Sequence, residues 1–152
     1  MKKVVLLLVL LTNFNLIFSQ EANSTYDEKL AKSLNADEHG MKQYVFCLLK
    51  TGSNTTATAE EKNNLFKGHM ANITRLAQEG KLVMAGPFMK NDRNYRGLYI
   101  FNVSTIEEAK ALVATDPAVK ENIFETELTL WYGSAALLET LKIHEKIAKT
   151  KI

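Results

Sequence analysis

Cysteine is nearly absent from this chain: Cys47 is the only one in 152 residues. One thiol closes no internal disulfide, so the protein must be held together by its core or by a partner chain. Cys47 lies inside Tyr44-Val45-Phe46-Cys47-Leu48-Leu49, where a small buried hydrophobe is the expected role rather than a nucleophile. Paired cysteines, a phosphate loop and a serine elbow are also missing. His39 and His144 lack the close spacing to His, Asp, Glu or Cys that a zinc site requires. No metal and no cofactor are expected.

An excess of one charge sign is missing too. The chain carries 19 Lys and Arg against 17 Asp and Glu, and Lys2 and Lys3 belong to a segment expected to be removed. Without them the two signs balance, and the basic residues are interspersed with Glu, so no nucleic-acid partner is expected. Long apolar runs are confined to the N-terminus. Lys2 and Lys3 precede the run from Val4 to Leu11, and Ile17-Phe18-Ser19 offers a small residue before a cut. This is the pattern of a signal peptide over residues 1–19, with cleavage before Gln20 and a membrane anchor as the alternative. The expected location is periplasmic or secreted, with no stable membrane span after cleavage.

What is present reads as one small domain with two flanks: a polar leader over 20–41, a folded region over 42–133 and a helical tail over 134–152. Aromatic and branched residues predict a strand from Gln43 to Leu49. After the Ser/Thr-rich loop from Thr51, a helix is expected over Glu60 to Glu79, its apolar face carrying Leu65, Phe66, Ile73, Leu76 and Ala77. Strands over Lys81–Ala85 and Gly97–Val103 follow, then a helix capped by Ser104 or Thr105 with the face Ile106, Ala109, Leu112 and Val113. Asp116-Pro117 ends it, and Ile123–Trp131 is a fourth strand. This order gives an α+β, ferredoxin-like plan: a four-stranded antiparallel sheet with two helices on one face. The first strand is apolar on both parities, which predicts a homodimer joined sheet to sheet.

His69 is the most informative polar residue, because it falls four residues from Leu65 and from Ile73 on the apolar stripe of its helix. Either a satisfied core histidine or an acid–base group fits that position. Asp116 ends the next helix and is a natural N-cap before Pro117. Arg96 flanks the third strand and is a candidate anion binder, whereas Arg75 lies off the His69 stripe and is expected at the surface. Gly86 and Pro87 are expected to stop the second strand and, with Phe88, to shape a pocket rim. Trp131, in Trp131-Tyr132-Gly133-Ser134, is expected at an interface or pocket.

Several stretches taken together carry a family resemblance: Phe66-Lys67-Gly68-His69-Met70-Ala71-Asn72-Ile73, Ala85-Gly86-Pro87-Phe88, Arg96-Gly97-Leu98-Tyr99-Ile100-Phe101, Thr115-Asp116-Pro117-Ala118-Val119 and Leu130-Trp131-Tyr132-Gly133. From about Gly40 to Gly133 the chain resembles the YciI-like, or YCII-related, family, in the form of its exported bacterial members. The resemblance implies a ferredoxin-like protomer that pairs into a dimeric α/β barrel. It also implies that His69 and Asp116 face a cleft as the suspected catalytic pair. The wider superfamily includes isomerases, lyases and cofactor-poor oxygenases. A small-molecule enzyme that moves a proton on a carboxylate- or carbonyl-bearing substrate is thus the leading expectation. The alternative is a non-catalytic periplasmic small-ligand-binding dimer. The extension to Ile152 departs from the family pattern and is expected to cover a barrel mouth or a dimer edge.

Overall fold

The computed structural model describes residues 25–150. The signal peptide expected over 1–19 lies outside the described residues. Within the leader, Asp27 caps a short helix, α1 (Glu28–Ser33), by accepting from the Leu30 N–H. The domain proper then runs β1 (Met41–Thr51), α2 (Ala59–Gln78), β2 (Leu82–Pro87), β3 (Tyr95–Phe101), α3 (Ile106–Val113), α4 (Pro117–Lys120) and β4 (Phe124–Ser134). A 3-10 turn (Ala135–Glu139) leads into α5 (Thr140–Ile147).

Local chemistry explains the helix limits. Thr58 starts α2 and Thr105 starts α3, each in a capping box, with Glu61 and Glu108 returning a carboxylate to the cap N–H. Gly80, at φ 67°, ends α2 in a conformation that costs glycine little. β2 runs through Gly86 and Pro87 rather than stopping before them, pairing them with Leu98 and Gly97. Proline is tolerated there because β2 is an edge strand and needs no inward ladder donor at that position.

The strand order is β2-β3-β1-β4 with all pairs antiparallel, the ferredoxin-like arrangement. The expected α/β barrel is not supported. The sheet is open, with β2 and β4 as unjoined edges. Its second face also has a different covering from the one inferred. On one face, Val45, Cys47, Leu49, Tyr99 and Phe101 pack with Leu76 of α2 and Ala109 and Val113 of α3. On the other, Tyr44, Val83 and Ile100 pack against Leu137 and Leu138 of the C-terminal turn. The second apolar parity of β1, read as the surface for a partner sheet, is covered in part by the chain's own tail. Burial of apolar area is non-directional, so the strand pattern alone does not distinguish these two coverings.

Among the described residues no helix is long and apolar enough to cross a membrane.

Candidate functional site

Three elements converge on the helix-covered face of the sheet. α2 carries His69, 8% exposed, on the side turned to the sheet. β3 carries Tyr99, opposite Cys47 of β1. The turn between α3 and α4 carries Asp116, which has no exposed surface. Gly68 is the local reason that α2 and α4 come so close: a Cβ there would lie 2.6 Å from the Pro117 side chain.

The polar atoms form one network. His69 Nδ1 lies 2.7 Å from Asp116 Oδ2. The Tyr99 hydroxyl donates to the same oxygen at 3.1 Å. Asp116 Oδ1 accepts from the Ala118 N–H at 2.9 Å, which is the N-cap bond of α4. Both carboxylate oxygens are therefore partnered, which is what a fully buried carboxylate requires. With Asp116 ionised, its Oδ2 accepts a hydrogen bond from the His69 Nδ1–H, and in that tautomer Nε2 keeps the lone pair, 3.4 Å from the Tyr99 hydroxyl. Phe66 and Phe124 stand beside the ring at centroid distances of 6.2 and 5.1 Å.

The neighbours respond to this buried charge. Burial, then the Asp116 charge, pushes the Cys47 thiol up to about 12, so it stays a protonated, inert core group. Burial and Asp116 also push the Tyr99 phenol well above its ordinary range. Tyr99 therefore acts as a donor to Asp116.

The two residues singled out from the sequence, His69 and Asp116, are brought together. The rest are spread out. Arg96 lines a depression of about 240 Å³ with Lys62, Phe66, Ile123 and Phe124. Gly86 and Pro87 lie in β2, and the Phe88 N–H donates to the Arg96 carbonyl while its ring meets Tyr95. None of these three lines the depression. Trp131 sits beside Tyr44, on the sheet face away from His69, with its ring over Gly133. Arg75 is exposed at the surface, as expected, where it bonds Asn72, Glu79 and Thr115. Sequence reasoning missed Tyr99. The parity that places Cys47 toward the helices would have found it, once β1 and β3 were paired in register.

A model of the YCII-related domain matches residues 44–131, more than half of the chain. The chain belongs to the YCII-related domain family. No curated protein matches it significantly. Among solved structures it is similar to 5-chloro-2-hydroxyhydroquinone dehydrochlorinase from Burkholderia phenoliruptrix AC1100, in complex with 2,5-dihydroxybenzoquinone. The identity is 19%, over 57% of this chain and 92% of that one, with a TM-score of 0.42. That likeness is too remote to bear on the chemistry of this chain. Within this YCII-related protein the geometry is that of a carboxylate–imidazole pair with a phenol as third member.

Proposed function

We propose that this protein is a small-molecule enzyme in which His69 removes and returns a proton at a carbon beside a carbonyl or carboxylate. The observation that supports this reading is the 2.7 Å contact between His69 Nδ1 and a fully buried, fully partnered Asp116. Asp116 holds the tautomer that leaves Nε2 basic and stabilises the imidazolium formed when Nε2 takes the proton. Tyr99 and the Ala118 N–H fix Asp116 in turn, so the base is positioned before substrate arrives. The carbanion formed is delocalised as an enolate onto the oxygen of the substrate's own carbonyl or carboxylate. Isomerisation and elimination both begin with this step.

A panel of enolisable keto acids and esters in deuterated water, followed by proton NMR, tests the reading without knowledge of the natural substrate. The expected result is solvent exchange at the acidic carbon of at least one compound, reduced about a hundredfold or more in His69→Gln. Ligand binding with no exchange in the wild-type protein would instead favour the non-catalytic binding function.

Export is part of the same proposal and is supported by the N-terminal pattern from Lys2 to Ser19. Self-association also remains a proposal, through the exposed part of β4 rather than by barrel closure. Leu130 and Tyr132 are each 52% exposed and Trp131 is 39% exposed on that edge strand. Sedimentation that gives one monomeric species at every concentration would remove it.

A further inference from the structure

Lys62 is not explained by the fold. It lies half-buried in the first turns of α2, where its neighbours at helical spacing are Thr58, Ala59, Leu65 and Phe66. None of these is a carboxylate, so the usual i,i+4 partner is missing. Arg96 stands across the same depression. Among the described residues neither side chain has an ion-pair or hydrogen-bond partner. Two unpaired cations therefore line one concavity together with the apolar Phe66, Ile123 and Phe124 and a polar loop side of Thr51, Gly52 and Asn54.

The concavity is also held in shape. The Gly52 N–H donates to the Ile123 carbonyl at 2.9 Å and the Asn54 N–H to the Asn122 carbonyl at 3.0 Å. Asn54 Nδ2 adds a bond to the Glu121 carbonyl at 2.8 Å. These bonds zip the loop after β1 to the turn before β4. Gly52 permits the close approach, since a Cβ there would lie 2.0 Å from the Asn122 carbonyl oxygen. At about 240 Å³ the space falls just short of the roughly 300 Å³ at which drug-sized sites begin, so a single-ring ligand fits the scale.

We infer that this depression is a subsite for the anionic end of a planar, unsaturated carboxylic acid, with Lys62 and Arg96 holding the carboxylate and Phe66 and Phe124 taking the ring or conjugated chain. Charge-assisted hydrogen bonds supply the anchor, and aromatic faces supply the preference for a flat apolar body. Phe66 and Phe124 line the depression on one side and border the His69 imidazole on the other. His69 does not itself line the depression, and the two phenyl rings meet edge to face with centroids 5.7 Å apart. A ligand anchored here therefore lies against the imidazole's aromatic neighbours, and its turnover by His69 is a further step. This last step rests on the acid–base reading above, whereas the binding step does not.

Benzoate, benzamide and inorganic phosphate titrated into the nitrogen-15-labelled protein provide the test. Benzoate is expected to shift the amides around Gly52, Phe66 and Phe124, and benzamide to bind at least about fivefold more weakly, the scale of one charged hydrogen bond. Lys62→Gln and Arg96→Gln should each weaken benzoate by a similar factor, and Lys62→Arg should restore most of it. Both side chains reach solvent, and unchanged thermal unfolding would verify that the variants are folded. Equal binding of benzoate and benzamide would overturn the inference, as would benzoate binding indifferent to both variants. Phosphate binding as tightly as benzoate would overturn the aromatic half of it. Solvent exchange that survives His69→Gln sinks the acid–base reading and leaves the benzoate result standing. Benzoate binding that ignores Lys62 and Arg96, with exchange still dependent on His69, sinks only the subsite.

Discussion

The two faces of the sheet share four strands and differ in what covers them. The helix-covered face buries a charged carboxylate, an imidazole and a phenol among Val45, Cys47 and Phe101. The tail-covered face buries Tyr44, Val83 and Ile100 under Leu137 and Leu138, and its main polar group, the Tyr44 hydroxyl, donates to the Ser134 carbonyl at the rim. A buried polar group is costly unless partnered, so a cluster of three carries information that an apolar cluster does not. The helix face holds a buried, fully partnered carboxylate–imidazole–phenol network. The tail face solves a burial problem.

Asp116→Ala should break the helix face most severely. It removes the cap of α4 and leaves the Ala118 N–H, the Tyr99 hydroxyl and His69 Nδ1 without their acceptor. A loss of about 3 kcal/mol in denaturant unfolding is expected, from one charged hydrogen bond plus one cap. A loss below about 1 kcal/mol would mean that the network contributes little to the fold.

Replacing Leu137 and Leu138 together by Ala probes the other face. Both are only partly buried, so the pair should cost about 2 kcal/mol, with solvent exchange by His69 unchanged. Increased binding of a hydrophobic dye would report the uncovered Tyr44 and Ile100. If exchange fell as well, the two faces would be coupled, and the contrast between them would fail.

The smallest effect is alkaline. Tyr99 and Tyr44 both have phenols raised above the ordinary value of 10.0, Tyr99 by burial and Asp116, Tyr44 by burial alone. A group whose folded value is raised stabilises the fold fully below its ordinary value, and that stability is lost as the pH rises beyond it. Unfolding between pH 9 and 12 should therefore show falling stability, with Cys47 adding to the loss from its ordinary 9.0 towards about 12. Tyr99→Phe should flatten this fall more than Tyr44→Phe. Equal flattening would show that Asp116 adds nothing beyond burial.

Much of this protein is legible in the order of its residues. Helix limits follow from Thr58, Thr105 and Gly80, because capping bonds and glycine conformations are local. Strand identity in β1 follows from its aromatic and branched residues, and the inward face of α2 follows from the spacing around His69. The element order and types are enough to suggest the ferredoxin-like plan, and the family resemblance pairs His69 with Asp116. The extent of β2 is less legible, since Gly86-Pro87 signals a stop and only an edge position lets the strand continue through it.

Tertiary structure alone decided the rest. Periodicity states that a face is apolar but not which surface will bury it, so the sheet remained open under its own tail where a barrel was expected. Tyr99 joined the pair because antiparallel register set it opposite Cys47, a relation between residues 52 apart in sequence. Lys62 of α2 and Arg96 of β3 line one depression only because helix and strand pack together. Sequence by itself determined the elements and their buried faces, since those depend on neighbours along the chain. Which side chains share a site depends on register and approach distance, and those arise only when the elements pack.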